Sequence, residues 1–303
     1  TEADGEKASS PLKINIIMNI TFIGLGIMGS RMAANLLKSE AKITVWNRSP
    51  AAAEELIAAG ANFVADAREA VANADVVFSM LSTPAVVETL FFGPKALLSG
   101  MPKKSLWVDC TTVNPSFTKR ARAAAWENSI RFLGAPVAGT KPQAEGGELV
   151  FFVGGTAEDL TEIRPYLDLM GKKTLHLGEE EQGAAFKMLV NIMLAQSMLI
   201  FSEAVLLGEK LGLDKDFLLN SLPSLVVSAP FTKFKAEMIR TDEYDVQFPL
   251  EWMQKDLHLA SVTAYEVGQP LYLANIAKEL FAGATQAGLG REDFAAIHAY
   301  LKG

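Results

Sequence analysis

Three glycines at the spacing G-x-G-x-x-G are the pattern in this chain best suited to binding a ligand. Gly24, Gly26 and Gly29 follow the apolar residues 20–23 and precede a segment whose apolar side chains have helical spacing. In that context the glycines allow a tight turn, a close approach to a pyrophosphate, and close packing of helix on strand. The free N–H groups at the start of the helix attract an anion. An ordinary turn is the alternative to the dinucleotide site that we predict at Gly24, Leu25, Gly26, Ile27, Met28 and Gly29.

The end of the next apolar segment, 43–46, bears on which dinucleotide binds. It is followed by Asn47-Arg48-Ser49, about 20 residues after the glycines. A site for NAD usually places an acid here to hold the ribose 2′-hydroxyl, and an acid would repel a 2′-phosphate. Arg48 would attract that phosphate and could lie against the adenine. We predict that Asn47, Arg48 and Ser49 bind NADP(H); a solvated arginine in a turn before Pro50 is the alternative.

Lys187 lies in a segment, 184–195, that is apolar on nearly every side. An ammonium group there must extend to solvent, pair with an acid, or lose basicity, because burial favours the neutral amine. A lysine of lowered pKa can exchange a proton near neutral pH. Asn191 is four residues away on the same helix face, where its amide could hold a substrate oxygen or orient the amine. The residues alone leave a catalytic pair and a solvated lysine equally open.

Three shorter segments also carry groups suited to a ligand. Residues 109–115 follow a predicted strand, and their hydroxyls lie where open α/β sheets bind ligands, although they could equally cap the next helix. The small residues of 135–142 could present backbone N–H groups to a carboxylate, with a plain loop as the alternative. Residues 255–256, Lys-Asp, could be an ordinary exposed pair on an amphipathic helix.

The elements that must position these groups follow an alternating pattern. Short apolar runs alternate with helical segments over residues 19–177, which predicts an α/β fold with a doubly wound, largely parallel sheet of the Rossmann type. The last strands are expected to differ in direction, because the run at 150–153 follows a glycine-rich turn. From residue 183 onward the pattern is helical, so we predict a dinucleotide-binding domain at 18–180 and an all-helical substrate and dimerisation domain at 181–303.

Composition narrows the classes of function. The chain has 303 residues, half of them hydrophobic, and a formal net charge of −7 without a Lys/Arg cluster, which argues against nucleic-acid binding. Its one cysteine, Cys110, excludes an internal disulfide and fits the cytoplasm. Its three histidines lie far apart, so we expect no metal site.

The sequence favours neither a membrane-spanning helix nor a secretory signal. Polar residues interrupt the apolar stretch 184–205 too often for a comfortable span, so a buried core helix is the better interpretation. Residues 1–17 are predicted to be a disordered tail without the features of a secretory signal, and Met18 could be the natural start.

Taken together, the motifs resemble those of the β-hydroxyacid dehydrogenase family, from Met18 to the C-terminus. The glycine turn is similar to the family's G-L-G-x-M-G, and residues 109–115 to its D-x-S-T-x-x-P segment. Residues 135–139, Ala-Pro-Val-Ala-Gly, resemble its A-P-V-S-G loop. Residues 183–191 resemble its G-x-x-x-K-x-x-x-N helix, and residues 255–257 its K-D-L segment. Five motifs in the same order are far more specific than any one of them.

The resemblance implies roles for individual residues. Lys187 would be the catalytic acid and base, and Thr112 and Lys255 would flank the nicotinamide end of the cofactor, where we also place Met80 and Leu81. The substrate would be held by Ala138, Gly139, Thr140, Asn191 and Asp256. The family forms homodimers or homotetramers through its helical domain.

Two departures from the family pattern bear on the substrate. Ala138 stands where the family has a serine, so one carboxylate-binding hydroxyl is missing, and Thr140 is a candidate to replace it. The cofactor segment and residues 139–145 look closest to the glyoxylate/succinic semialdehyde reductase branch. We expect NADPH-dependent reduction of a small aldehyde or keto acid to a hydroxy acid. A 3-hydroxyisobutyrate or tartronate semialdehyde enzyme, an imine reductase and a non-catalytic dinucleotide-binding scaffold remain alternatives.

Overall fold

The first half of the protein is built on one parallel sheet. The computed structural model describes residues 17–303, so the tail predicted at 1–17 lies, but for its last residue, outside the described residues. The strand order is β3-β2-β1-β4-β5-β6, and every neighbouring pair is parallel. The strands are β1 Asn19–Ile23, β2 Lys42–Trp46, β3 Asn62–Phe63, β4 Val76–Ser79, β5 Leu106–Asp109 and β6 Arg131–Gly134. This order confirms the doubly wound fold, and its reversal between β1 and β4 is the switch point where such sheets bind ligands.

Helices cover both faces of this sheet because its central strands are apolar on both sides. Phe22 and Phe78 belong to the core on one face, whereas Val77 and Trp107 belong to the core on the other. Trp107 stacks on Phe91 with ring centroids 4.1 Å apart. The covering helices are α1 Gly29–Leu36, α2 Glu54–Ala58, α3 Ala67–Val71, α4 Pro84–Phe91 and α5 Pro115–Glu127.

A small second sheet follows, with α6 Lys141–Glu145 and α7 Ala157–Met170 inserted between its strands. It consists of β7 Val137–Ala138, β8 Leu149–Val153 and β9 Gly171–His176. The central strand β8 pairs with β7 in antiparallel and with β9 in parallel orientation. The expected change of strand direction after the glycine-rich turn is therefore confirmed. The two-residue strand β7 was not predicted, because its residues lie in a segment rich in turn formers.

The rest of the protein is helical. The helices are α8 Glu180–Lys210, α9 Lys215–Ser221, α10 Thr232–Thr241, α11 Leu250–Glu266, α12 Tyr272–Ala284 and α13 Ile297–Lys302. The 31 residues of α8 give it a length of about 46 Å. It contacts α5, β6 and β8 of the sheet-containing half and α11, α12 and α13 of the helical half. The expected helical second half is confirmed, whereas the exact domain boundary at 180/181 stays a prediction.

By length and composition alone, α8 is the one helix of the described chain that could cross a membrane. Its packing favours a core helix instead. The polar side chains of Lys187, Asn191 and Ser202 are buried along it, and it contacts both halves of the protein. A span in lipid would leave those polar groups without partners.

Candidate active site

A cavity of about 440 Å³ lies where the carboxyl edge of the parallel sheet meets α8, α10 and α11. Twelve residues predicted from the sequence line it, namely Ile27, Met28, Met80, Leu81, Thr112, Ala138, Gly139, Thr140, Lys187, Asn191, Lys255 and Asp256. Residues from all five sequence motifs therefore share one cavity. Seven further predicted residues, Gly24, Leu25, Gly26, Gly29, Asn47, Arg48 and Ser49, lie at the ends of β1 and β2 and do not line it.

The glycine turn has the shape that a dinucleotide requires. Gly24 has a φ of +97°, and a Cβ there would collide with the carbonyl oxygen of Met80. A Cβ on Gly29 would collide with the carbonyl oxygen of Gly24, so the third glycine allows the helix to pack on the strand. Gly26 differs, because a Cβ there would meet nothing within 4 Å. The open space at Gly26 fits a pyrophosphate held against the start of α1.

The end of β2 is tied to this turn. The Gly24 N–H donates to the carbonyl oxygen of Trp46 at 3.0 Å, and the Leu25 N–H donates to Asn47 Oδ1 at 3.0 Å. Asn47 Nδ2 in turn donates to the carbonyl oxygen of Ser49 at 3.0 Å. Asn47 therefore orients the 47–49 turn toward the glycines and leaves Arg48 exposed beside them. An exposed guanidinium next to a pyrophosphate site can bind a 2′-phosphate.

Lys187 is buried, with 7% of its surface exposed, and it lines the cavity from the first half of α8. Burial lowers the pKa of its ammonium group from 10.5 to about 8; the carboxylate of Asp256 opposes this lowering and the charge of Lys255 adds to it. The lysine therefore neither extends to solvent nor forms a direct ion pair within the described residues. At neutral pH its amine is poised to give up or take a proton.

A hydrogen-bonded network holds the groups around Lys187. Asn191 Nδ2 donates to Asp256 Oδ2 at 2.6 Å, and Lys255 Nζ lies 2.7 Å from Asp256 Oδ1. Lys255 Nζ also donates to the carbonyl oxygen of Thr112 at 3.0 Å, which joins α11 to the edge of the sheet. Asp256 Oδ2 thus accepts a hydrogen bond, whereas the buried Oδ1 is at ion-pair distance from Lys255 but has no hydrogen bond within residues 17–303. The pairing with Lys255 favours an orienting role for Asp256 over direct contact with an anionic substrate.

One consequence of this network is a buried acceptor without a partner. The side-chain oxygen of Asn191 is buried and makes no hydrogen bond within residues 17–303. Such an acceptor is costly unless something donates to it. A protonated Lys187 or the hydroxyl group of a ligand in the cavity could donate to it.

The loop at Ala138 to Thr140 is fixed by Gln143. The N–H of Thr140 donates to Gln143 Oε1 at 2.9 Å, and the Thr140 hydroxyl donates to the same oxygen at 3.0 Å. Gly139 has a φ of +120°, and a Cβ there would come within 2.8 Å of a Leu149 methyl group. Thr140 therefore stabilises the loop. Its hydroxyl can accept a hydrogen bond from a ligand while it donates to Gln143, but it can donate to a ligand only if the bond to Gln143 is broken. Its predicted role as a substrate ligand stays a prediction.

Buried Asp109 fixes the strand ends beneath the cavity. It accepts hydrogen bonds from the Ser79 hydroxyl at 2.8 Å and from the Thr111 N–H at 3.1 Å. Thr111 Oγ1 accepts from the N–H of Leu81 at 3.0 Å, which places Leu81 in the cavity wall. Burial raises the pKa of Asp109 to about 6 in spite of these bonds. The hydroxyl groups predicted to bind a ligand or to cap a helix are in part used here to hold two strands together.

The far side of the cavity was not predicted as part of the site. It is formed by α8, α10, the segment before α11, the start of α11 and the turn before α13. Its residues include Val190, Leu194, Phe231, Phe234, Lys235, Gln247, Phe248, Trp252 and Phe294. For Val190 and Leu194 a signal existed, because they lie three and seven residues after Lys187 and so share its helix face. The remaining residues carry no motif, and only tertiary packing brings them to the site.

The fold and the site together define an oxidoreductase that binds a nicotinamide dinucleotide. Residues 19–178 match the model of the NAD-binding domain of 6-phosphogluconate dehydrogenase. Residues 182–301 match the model described as NAD-binding of NADP-dependent 3-hydroxyisobutyrate dehydrogenase. The chain belongs to the β-hydroxyacid dehydrogenase family, whose members act on CH–OH groups, and this confirms the resemblance found in the motifs.

Similar proteins include two plant enzymes. Glyoxylate/succinic semialdehyde reductase 2, chloroplastic, of Arabidopsis thaliana is 35% identical over 285 residues, which are 94% of this chain and 80% of that protein. Glyoxylate/succinic semialdehyde reductase 1 of the same plant is 33% identical over 280 residues, which are 92% of this chain and 97% of that protein. A structure of Mycobacterium tuberculosis 3-hydroxyisobutyrate dehydrogenase with L-serine has a TM-score of 0.85 at 29% identity and covers 95% of this chain and 100% of that one. An imine reductase of Streptomyces aurantiacus, at 21% identity and a TM-score of 0.61, shares the fold alone.

Within residues 17–303 no group of three or more His, Cys, Asp or Glu side chains is placed to bind a metal ion. Cys110 is buried and unpaired in that part of the chain.

Proposed function

We propose that the protein reduces a small aldehyde or keto acid that carries a carboxylate, such as glyoxylate or succinic semialdehyde, to the hydroxy acid with NADPH. The observation that carries this proposal is Lys187, a lysine with its pKa lowered to about 8 in the wall of the interdomain cavity. The names of the two plant relatives supply the substrate class. The family membership supports the reaction class.

The residues of this chain suit that reaction. NADPH, when bound, supplies the hydride for the carbonyl carbon. Lys187 holds a proton at Nζ and can donate it to the carbonyl oxygen as negative charge grows there. Asn191 Oδ1 is the buried acceptor that orients either this ammonium group or the new hydroxyl. Lys255, fixed between Asp256 and the carbonyl oxygen of Thr112, adds positive charge beside the same cavity. The apolar side chains around it exclude water, which strengthens these interactions.

For the cofactor, we propose NADPH over NADH. Support comes from the exposed Arg48 beside the glycine turn and from the absence of an acid at 47–49. A hydrogen bond to a charged group contributes about 1.5–3 kcal/mol, which is a preference of about 10- to 150-fold. Replacing Arg48 by Asp should reverse the preference, measured as the ratio of kcat/KM for the two coenzymes. An unchanged ratio contradicts the assignment.

The test of the reaction is a screen of NADPH oxidation with glyoxylate, succinic semialdehyde, tartronate semialdehyde and methylmalonate semialdehyde. Turnover of at least one is expected. Lys187→Met should abolish turnover and keep NADPH affinity, since the turns at 24–29 and 47–49 that would bind the cofactor's phosphate groups belong to the parallel-sheet half of the protein, whereas Lys187 belongs to α8. A matched control is Lys215→Met, because Lys215 lies outside the cavity and donates to the carbonyl oxygen of Ile239. A Lys187→Met variant with most of its activity left refutes the mechanism.

The same screen separates the alternatives. Turnover of methylmalonate or tartronate semialdehyde alone would favour a 3-hydroxyisobutyrate or tartronate semialdehyde enzyme. Reduction of a cyclic imine without reduction of any aldehyde would favour an imine reductase, against which Lys187 already counts. NADPH binding without any turnover would leave a non-catalytic scaffold.

We also propose a homo-oligomer, built through α8. Leu189, Met193, Ile200 and Leu207 are 57–70% exposed, and their spacing places them on one stripe of the helix. A contiguous exposed apolar stripe of this kind is typical of a protein interface. Met193→Glu should convert a dimer or tetramer to smaller species in light scattering; an unchanged mass places the interface elsewhere.

The cytoplasm is the compartment that we propose, and cell fractionation tests it.

A further inference from the structure

Lys235 is a second buried cation in the same cavity, and the reaction proposed above does not use it. It lies on α10, with 3% of its surface exposed, and it lines the cavity wall. An ammonium group at such a depth requires an anion or a set of acceptors. The partners of this lysine are therefore informative about what else the cavity binds.

The described contacts of the Lys235 ammonium leave one of its three N–H donors poorly used. Nζ lies 2.8 Å from Asp293 Oδ1 and donates to Gln247 Oε1 at 3.2 Å. Its remaining polar neighbour is the thioether sulfur of Met238 at 3.8 Å, which is a weak acceptor. The ring of Phe294 lies 4.8 Å away and adds a cation–π contact. Within residues 17–303 this ammonium group has no third strong acceptor, and Lys235 lines the cavity.

Asp293 is held in place without the lysine. Its Oδ2 accepts the N–H groups of Gln247 and Phe248 at 3.1 and 3.0 Å, and its Oδ1 accepts the N–H of Ala295 at 3.0 Å. Three backbone donors are enough to stabilise a buried carboxylate. The loop before α11 and the start of the C-terminal helical turn are thus joined by Asp293, whether or not Lys235 is present.

The charges that line the cavity do not balance. Its walls carry the ammonium groups of Lys187, Lys235 and Lys255 and a single carboxylate, that of Asp256. Lys255 and Asp256 pair at 2.7 Å. Asp293 offsets Lys235 only from behind, since it is fully buried and does not line the cavity. A ligand with an anionic group would restore the balance inside the cavity.

Lys187 and Lys235 lie in different parts of the cavity. Lys187 is near the strand ends, in the first half of α8, whereas the surroundings of Lys235 are Phe231, Phe248 and Phe294 in the helical core. Leu194, which lines the cavity and packs against that helical core, is seven residues beyond Lys187, and that is about 10 Å along the helix. The cavity therefore has the proton donor Lys187 at one end, the ammonium group of Lys235 at the other, and apolar side chains between them.

We propose that Lys235 binds the distal carboxylate of the substrate and selects aldehydes whose carboxylate is separated from the carbonyl by two or more methylene groups. This rests on the proposed function and deepens it. The carbonyl lies at Lys187, the methylene groups pack on the apolar side chains, and the carboxylate accepts the third N–H of Lys235. An α-keto acid such as glyoxylate has its carboxylate on the reacting carbon and cannot reach both sites.

The experiment compares substrates of equal length with and without the charge. In the wild type, KM is measured for succinic semialdehyde and for butanal, and the ratio of the two is the readout. Lys235→Met removes the charge and shortens the side chain by one atom, and it should shift this ratio by about 10- to 150-fold against succinic semialdehyde, as expected for one hydrogen bond to a charged group. The KM for glyoxylate should change less than threefold in the same variant.

Asp293→Asn is the variant that distinguishes an anchor from a structural ion pair. It breaks the ion pair as Lys235→Met does, but it keeps the cation. An anchoring role predicts that the KM ratio shifts only in Lys235→Met. Equal shifts in both variants, or an equal loss for butanal and succinic semialdehyde, overturn the proposal. If Lys235→Met does not fold, the double variant Lys235→Met/Asp293→Asn removes both buried charges and takes its place.

A binding measurement separates failure of this inference from failure of the proposed function. Calorimetric titration with succinate in the presence of NADP⁺ needs no turnover. Binding by the wild type that weakens at least tenfold in Lys235→Met supports the anchor even if no aldehyde is reduced. Equal binding by the two overturns it, and it does so even if the reductase activity is found.

Discussion

The pKa of Lys187 makes a quantitative prediction about the pH dependence of the reaction. Reduction needs the ammonium form as the acid, so kcat/KM for the aldehyde should be level below pH 7 and fall above it. With a pKa of about 8, the protonated fraction is about 0.9 at pH 7 and about 0.1 at pH 9, and the rate falls tenfold for each further pH unit. Oxidation of the hydroxy acid needs the neutral amine and should show the opposite limb, rising to a plateau above pH 9.

Asp256→Asn tests whether Lys187 is the group that titrates. The carboxylate of Asp256 raises the pKa of Lys187 and so opposes the effect of burial. Asn has nearly the same shape and retains an acceptor for Asn191, but it lacks the charge. The descending limb of reduction should therefore move to lower pH. The assay is the initial rate of NADPH absorbance loss over pH 6–10, with substrate well below KM.

Two results would refute this reasoning. A wild-type limb that begins only above pH 10 would mean that Lys187 keeps the pKa of an exposed lysine, and its burial would then be irrelevant to the chemistry. A limb near pH 8 that stays in place in Asp256→Asn would mean that some other group titrates. Lys215→Met, outside the cavity, is the control and should leave the profile unchanged.

Three further predictions concern stability and cofactor. Lys187→Met should raise the free energy of unfolding at pH 7 by up to about 3 kcal/mol, because a pKa lowered from 10.5 to about 8 costs about 1.4 kcal/mol per pKa unit. Between pH 8 and 10.5 Lys187 binds more protons in the unfolded state than in the folded state, so the stability of the wild type rises with pH through that window. The difference in unfolding free energy between Lys187→Met and the wild type should therefore shrink by pH 10 in urea titrations. Gly26→Val should fold normally and lose NADPH affinity by calorimetry, since its side chain would enter the open space; tight binding would place the pyrophosphate elsewhere. Gly24→Val should instead lower the melting temperature, because its φ of +97° and the Met80 carbonyl leave no room, and a stable variant would contradict the described turn.

The reacting half of the site was predictable because local sequence encodes it. The glycine turn has its own spacing, and the strand before it and the helix after it lie within ten residues. Lys187 and Asn191 are one helical turn apart, so the sequence alone puts them on one face. Their surroundings were also visible, since a lysine among apolar side chains must be buried or must extend to solvent. The sequence could not decide between these two, because the answer depends on what packs against α8.

The other half was not predictable, for a physical reason. Lys235 has Phe231 and Phe234 as neighbours in sequence, which is the pattern of an ordinary amphipathic helix with a solvated lysine. Its partner Asp293 is 58 positions further along, and no local rule joins them. The segment 244–249 lacks both helical and strand periodicity, so its contribution of Gln247 and Phe248 to the cavity follows only from the hydrogen bonds to Asp293.

The division of the cavity into these halves implies that chemistry and substrate choice can vary separately. Lys187 and Asn191 are attached to α8, whose 31 residues contact both halves of the protein, so the packing of the whole fold fixes the position of the reacting groups. Lys235, Gln247 and Phe248 are attached to a short helix and a loop, where substitutions alter the shape and charge of the far wall and leave the network around Asp256 in place. A cation at Lys235 favours a distant carboxylate, and an apolar side chain at the same place would favour an uncharged or a shorter substrate. Exchange of this one residue should therefore change which aldehyde is reduced more than how fast the hydride is accepted.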